Sequence, residues 1–370
     1  MNKDELFYLL ALSKTPQIGD VQSRILLQHF HSAREIFKTP ASTLERIEGM
    51  GKVRAHSIKR FVDFKTCEKE IRFIEDEKIT PLCWNESNYP KRLVHCYDAP
   101  VLLFYKGSLT LNEEKYISIV GTRNNTSYGK KFCETLLQDL SDYNPVVVSG
   151  LAYGIDSIVH KICVNSKIPT VGVLAHGLDR IYPETNRKLA MDMTVCGGLI
   201  TPFCSDTIPE KQNFPNRNRI TAGLCDALIV IETGMKGGSL ITARLASEYH
   251  KEVFALPGKF DDEKSSGCNQ LIKTQQANMV TSAEDIIDLL QWNKSNHIIG
   301  KPITQKILFP NLTSNEQKLV DLIREKSTAD IDSLMYFTEM SYGSIASALL
   351  TLELNGIVKA LPGKTYTLLN

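Results

Sequence analysis

The chain has no strong charge of either sign: 43 Lys and Arg stand against 42 Asp and Glu in 370 residues, a formal +1. That balance excludes a field spread over the whole surface as the means of holding a polyanion, so any such affinity has to come from a local patch. There is no run of eighteen apolar residues, and the opening Met1-Asn-Lys-Asp-Glu5 is too polar and acidic for a signal peptide. We therefore expect a soluble, cytoplasmic protein with no membrane partner. Its nine cysteines are an odd number, scattered from Cys67 to Cys268 without a C-x-x-C pair. Buried thiols in a reducing compartment are expected, and neither a disulfide framework nor a zinc site.

Cofactor and catalytic signatures are missing as well. No strand-like segment leads into G-x-G-x-x-G with an acidic residue about twenty positions on, and Lys236-Gly-Gly-Ser lacks the Lys-Ser/Thr pair of a P-loop. Phosphates of NAD or ATP are thus poor candidates for a ligand. No G-x-S-x-G elbow and no H-E-x-x-H helix appears. Asp156 and His160 are spaced to share a helix face, but no third ligand or nucleophile stands beside them, and a structural pair is the simpler reading. Glu232 and Glu248 are the carboxylates positioned for acid-base work, or equally for orienting arginines. The expectation is a protein that binds and does not break bonds, with no catalytic residue, metal or cofactor.

What is present is a repeated grammar. Tyr116-Ile-Ser-Ile-Val120 is a short β-branched run followed by Gly121-Thr-Arg123 and a helical stretch from Ser127 to Leu140. The same order of strand, glycine turn and helix returns at Val146 to Gly150, and at Leu228 to Glu232 with Gly237-Gly-Ser-Leu-Ile-Thr-Ala243 behind it. A parallel sheet puts such turns on one edge, where helix N-termini aim unpaired N–H groups at anions. Gly121, Gly150, Gly237 and Gly238 there let a backbone approach a phosphate. Further strands are expected at Val101 to Tyr105, Thr170 to Leu174, Thr194-Val195 leading to Leu199-Ile200, and Glu252 to Ala255.

Between two of these strands lies Asn213-Phe-Pro-Asn-Arg-Asn-Arg-Ile220, read as a loop. Arg217 and Arg219 suit phosphates, amides such as Asn218 add donors, and Phe214 offers a face on which a base can stack. The competing reading is a solvated turn with its arginines paired to carboxylates and Phe214 as a core anchor.

At 370 residues the chain points to two or three domains. Residues 1–78 read helical, with two hairpin-like turns: Pro16-Gln-Ile-Gly19, and Ile47-Glu-Gly-Met-Gly51 before Val53. These resemble helix-hairpin-helix (SAM-like) units. With 14 basic and 12 acidic residues this segment could contact duplex DNA or serve as an interaction module. Residues 79–292 hold the α/β unit, and 293–312 a linker with two prolines. In residues 313–370, helices at Ser314 to Arg324, Asp332 to Phe337 and Ser341 to Asn355, then a Pro-Gly turn between two strands, make a winged helix. The third of these helices carries no Lys or Arg as far as Leu354, and the tail from Asn311 has five basic against seven acidic residues. A recognition helix without cations gives up phosphate contacts, so a protein-binding or regulatory appendage is expected.

Four blocks in order, Ser149-Gly-Leu-Ala-Tyr-Gly-Ile-Asp156, Gly177-Leu-Asp-Arg-Ile-Tyr-Pro183, Asn213 to Ile220 with Ala222-Gly223, and Gly238-Ser-Leu-Ile-Thr-Ala243 ending in Ala255-Leu-Pro-Gly258, resemble the signature of the DprA/Smf family of bacterial DNA-processing proteins. The resemblance implies an extended Rossmann-like, doubly wound sheet that binds single-stranded DNA, forms a homodimer and loads RecA recombinase during natural transformation. It carries the DNA groove onto Arg123, Ser149, Gly150, Phe214, Arg217 and Arg219, with Lys211 as a further phosphate contact. One departure is Glu184, where relatives place a basic residue, leaving Arg187 or Lys188 to supply that charge. For the dimer surface we expect Leu271, Ile272 and Met279. The alternative class is a phosphoribohydrolase-like Rossmann enzyme with P-G-G-x-G-T-x-x-E. Lys236-Gly-Gly-Ser-Leu-Ile-Thr242 lacks its leading proline, third glycine and glutamate. A pure scaffold, the third reading, leaves the Phe214 to Arg219 segment unexplained.

Overall fold

The structure is a computed structural model that describes residues 2–293, 312–326, 328–338, 340–355, 357–361 and 365–368. It divides into two compact units, Met1–Asn296 and His297–Asn370. Most of the expected linker and the Pro-Gly centre of the expected hairpin lie outside the described residues. Among the described residues no helix is long and apolar enough to cross a membrane.

The first unit is organised by a nine-stranded sheet. In chain order its strands are β1 (Thr80–Cys83), β2 (Leu102–Gly107), β3 (Tyr116–Val120), β4 (Val146–Ser149), β5 (Thr170–Val173), β6 (Gly198–Thr201), β7 (Ala227–Val230), β8 (Glu252–Ala255) and β9 (Asn278–Met279). In space they run β1-β2-β6-β5-β4-β3-β7-β8-β9. From β6 to β9 all neighbours are parallel, while β2 lies antiparallel on β6 and β1 antiparallel on β2. This is the doubly wound order, with the chain reversing direction across the sheet between β3 and β7. Every residue of β3 is buried, as its continuous apolar run requires when helices cover both faces. One face is packed by Leu93, Ile220, Ala243 and Ala246, the other by Leu136, Leu137, Val159 and Ile286.

Helix Ser127–Leu140 matches the expected span, and Thr126 caps it by accepting from the Gly129 N–H at 3.3 Å. Two expectations are corrected. Thr194 and Val195 end the helix Arg187–Cys196, because Leu189, Ala190 and Met193 recur at helical spacing on its buried side, and the strand starts only at Gly198. The segment from Asn213 is no loop but the first turns of the helix Asn213–Gly223. Pro215 is tolerated because the first helical turn has no N–H partners to lose.

The helical front packs directly on the sheet unit. Leu9, Leu26, Ile36 and Ile58 share an apolar cluster with Cys83 and Val101, and the buried Glu70 carboxylate accepts from the Ser205 N–H and hydroxyl. At the second hairpin Gly49 and Gly51 take φ of +80° and +61° ahead of the helix Gly51–Lys59.

In the second unit, β10 (Thr328–Asp330), β11 (Val358–Leu361) and β12 (Thr365–Leu368) form an antiparallel sheet in the order β10-β12-β11. Helices Ser314–Lys326, Ile331–Thr338 and Tyr342–Leu354 pack on it through Leu319, Ile323, Leu334, Ile345 and Leu349. The winged-helix expectation is met, with β10 as a strand the sequence reading had not included.

Candidate nucleic-acid interface

The site sits at the switch point. Turns after β3, β4 and β7 and one face of the helix Asn213–Gly223 surround a cavity of about 510 Å3. Ligands of open α/β sheets bind there, where turns on either side of the reversal diverge and leave a crevice.

The turn after β3 carries Gly121 and Arg123. It is laced to β7 by Glu232, whose backbone carbonyl accepts from the Thr122 N–H at 2.7 Å and whose carboxylate accepts from the Thr126 N–H at 2.9 Å. Glu232 is fully buried in this task, which removes it from the candidates for acid-base work. Glu248 is likewise engaged, 3.3 Å from Arg244 one helical turn away.

The turn after β4 explains its glycines sterically. Gly154 has φ +77°, and a Cβ there would stand 2.3 Å from the Thr122 carbonyl oxygen, against the Arg123 turn itself. At Gly150 a Cβ would lie 1.7 Å from an Arg217 Nη1. Gly150 therefore makes room for a guanidinium, where the sequence reading had it making room for a phosphate. Asp156 points back at this turn and accepts from the Gly150 and Ala152 N–H groups at 3.2 and 3.3 Å. Its expected partner His160 faces elsewhere, 2.7 Å from the Thr170 hydroxyl.

The helix Asn213–Gly223 sorts its polar residues by angle. Lys211 just ahead of it, then Phe214, Asn218 and Thr221, follow the three-and-four spacing of one face, and all line the cavity. Arg217 lies at the back of the cavity, only 5% exposed, donating from Nη1 to the Val173 carbonyl at 2.8 Å while its Nε has no partner. Burial pulls its pKa below the ordinary arginine value; Asp156 opposes the shift and Arg123 adds to it. Asp156 is the mirror case: burial raises its carboxyl and Arg217 draws it back down. Arg123, in contrast, is exposed, and its guanidinium carbon stands 5.1 Å from the centre of the Phe214 ring.

On the other side Gly237 and Gly238 open the helix Gly238–Glu248 into the same cavity. A Cβ at Gly238 would meet nothing within 4 Å, so its backbone is open to a ligand.

Thus Gly121, Arg123, Gly150, Lys211 and Phe214 come together, joined by Arg217, Asn218, Gly237 and Gly238. Two expected residues do not join them. Ser149 is wholly buried, its hydroxyl donating to the Ile119 carbonyl at 2.6 Å. Arg219 leaves the helix on the opposite side, where its Nη2 lies 2.5 Å from an Asp20 carboxylate oxygen and its Nη1 donates to the Asp98 carbonyl. Two positions along a helix turn a side chain by about 200°, so Arg217 and Arg219 cannot share a face. Asp156 and Tyr182 were not expected at the site; Tyr182 packs edge-on to Phe214 at 6.4 Å between ring centres.

Comparison with known proteins follows the same outline. A sequence profile described as "DNA recombination-mediator protein A" matches residues 80–291, and one described as "DprA winged helix domain" matches residues 309–364. The protein Smf of Synechocystis is 30% identical over 402 aligned positions, 99% of each chain. The chain belongs to the DprA/Smf family. Among solved DprA structures, DNA processing protein A of Streptococcus pneumoniae superposes with a TM-score of 0.68 at 32% identity, over 78% of this chain and 98% of that one. That of Helicobacter pylori, described for its single-stranded DNA binding mode, gives 0.53 at 30% identity over 58% and 98%.

Within this DprA/Smf chain Glu184, expected to stand where relatives have a basic residue, is paired locally. Arg187, one of the two cations expected to compensate, has its Nε 2.5 Å from a Glu184 oxygen and borders a separate groove with Arg180 and Met191. Lys188 is exposed. The expected dimer residues are also divided. Leu271 is buried and Ile272 packs on the same core, because the helix Ser266–Lys273 turns both toward the sheet, whereas Met279 is exposed on the edge strand β9.

Proposed function

We propose that this protein binds single-stranded DNA in the switch-point trough, with little regard to sequence, and passes it to RecA recombinase during natural transformation. The observation that carries the reading is the convergence of exposed Arg123 and Lys211 with Phe214 and the open start of the helix Gly238–Glu248 around one cavity. Cations and helix-start N–H groups take successive phosphates, the aromatic ring takes a base, and none of these recognises a particular base edge. Family membership supports the hand-over to RecA, and the Helicobacter relative supports the single strand. Arg217 contributes from behind: unpaired at Nε and next to Arg123, it keeps the back wall positive despite Asp156. The protein acts as a homodimer, which raises avidity by tethering two troughs to one strand; Met279 on the edge strand β9 is the remaining candidate for that contact.

Binding without bond cleavage fits the carboxylates: Glu232 braces a turn, Glu248 is held by Arg244, and Asp156 is occupied by two backbone N–H groups. The test is fluorescence anisotropy with an oligonucleotide, its duplex and the matching RNA side by side. Tight binding of the single DNA strand over the duplex is expected; equal affinity for the duplex, or release of free base on incubation with AMP, refutes the reading.

A further inference from the structure

We propose that Tyr182 is a second stacking platform, on which the strand lays a base as it leaves the trough beside Phe214. The inference rests on the single-strand reading and adds to it a residue that does not line the cavity.

Three observations converge on this ring. First, Phe214 is already engaged: the Arg123 guanidinium stands 5.1 Å from its centre and that of Arg217 5.9 Å away. The neighbouring ring, 6.4 Å from Phe214 and inclined at 70°, is 43% exposed. Exposed beside Phe214 but outside the cavity lining, it adds aromatic surface next to the trough.

Second, the backbone that carries the ring is anchored. The Tyr182 N–H donates at 3.1 Å to Nε2 of His176, a side chain 1% exposed. The other ring nitrogen, Nδ1, lies 2.9 Å from the Gly177 carbonyl oxygen. Both bonds form together only when His176 carries its proton on Nδ1 and is neutral, and burial favours that state by lowering its pKa. Just beyond, buried Asn186 donates from Nδ2 to the Leu151 carbonyl at 2.9 Å and to the Ser157 hydroxyl at 2.8 Å. The segment carrying Tyr182 is thereby tied to the turn after β4, which forms the trough wall.

Third, an exposed aromatic ring held in this way loses little freedom on binding, and every base presents a face to it. The charges nearest in sequence are paired among themselves, Arg180 with Asp179 and Glu184 with Arg187, so before the exposed Lys188 the ring is the main feature this stretch offers a strand.

The experiment uses the full-length protein and three oligonucleotides: a uniform strand, one with a run of abasic sites of equal charge, and one carrying 2-aminopurine. Tyr182→Ala is expected to weaken binding of the uniform strand about 10-fold, to leave the salt dependence unchanged, and to reduce quenching of 2-aminopurine. Tyr182→Phe is expected to bind like the parent, and Tyr182→Leu, which keeps an apolar contact with Phe214, to bind like the alanine variant. On the abasic strand all four proteins should agree. Parent-like affinity of the alanine variant for the uniform strand overturns the inference alone. So does full rescue by leucine, which makes the ring a prop for Phe214, or a loss that persists on the abasic strand, which makes it a support for the phosphate contacts. A parent that binds no single strand overturns the underlying reading and this inference with it.

Discussion

The guanidinium of Arg123 stands over the ring of Phe214, 5.1 Å from its centre, although one comes from the turn after β3 and the other from a helix far along the chain. Cation and ring form a single surface. In the proposed function, phosphate capture by Arg123 and base stacking on Phe214 are therefore coupled at this pair.

Arg123→Ala should therefore weaken single-strand binding and flatten its log-log salt dependence by about 0.7, the share of one phosphate contact. Anisotropy titrations across a range of salt concentrations measure both. An unchanged slope would remove Arg123 from the phosphate path.

Arg217 and Arg219 should separate by phenotype. Arg217→Ala empties a buried seat, leaves the Val173 carbonyl unsatisfied and exposes Asp156 to an uncompensated environment, a cost of about 3 kcal/mol that chemical denaturation would report together with weaker binding. Arg219→Ala, which loses Asp20 and the Asp98 carbonyl, should cost about 1–2 kcal/mol and keep the parent's salt slope.

Gly154→Ala should damage binding from a distance. The new methyl has to displace the Thr122 carbonyl and with it the Arg123 turn, at φ +77° and ψ −129°, backbone space largely confined to glycine that costs alanine about 1–3 kcal/mol. Loss of both melting temperature and affinity is expected; a variant with parental affinity would show that the turn can absorb the shift.

Acid should destabilise the first unit through its buried histidines. His160 has an ordinary pKa of 6.5, held down to about 3 by burial in the folded chain. The unfolded chain thus takes up a proton that the folded one refuses. This contribution is fully present above pH 6.5 and is lost as pH falls from there toward 3, amounting to about 2 kcal/mol by about pH 5. His176 is shifted in the same direction. Denaturant midpoints at about pH 7.5 and about pH 5 should differ less for His160→Gln than for the parent, and an equal difference would discount His160.

Much of this was legible in the sequence. Short β-branched runs with glycine turns behind them marked β3, β4 and β7, and the spacing of Ser127 to Leu140 matched its helix span. The segment from Asn213 was not legible as a helix because asparagine, proline and arginine favour turns locally. Burial of Ile220, Thr221 and Ala222 against the sheet overrides that preference. The mistaken placement of Arg219 follows directly, for in an extended loop it could join Arg217 and on a helix it cannot. Ser149 and Leu271 failed differently: residue type announces what a side chain can bond, while the direction it faces is decided by tertiary packing. Tyr182 escaped notice because only the fold brings it beside Phe214.

The tether from Arg219 to Asp20 also bears on how the protein can be cut. Asp20 holds the Val101 N–H at 3.1 Å on its other oxygen, and Arg24 reaches the Cys96 and Tyr97 carbonyls. Trimming away residues 1–78 would leave a half-buried guanidinium facing water without its Asp20 partner and would strip the cover from Cys83 and Val101. Such a fragment would carry a fresh oily scar and tend to clump, so the sheet is best studied with its helical front attached.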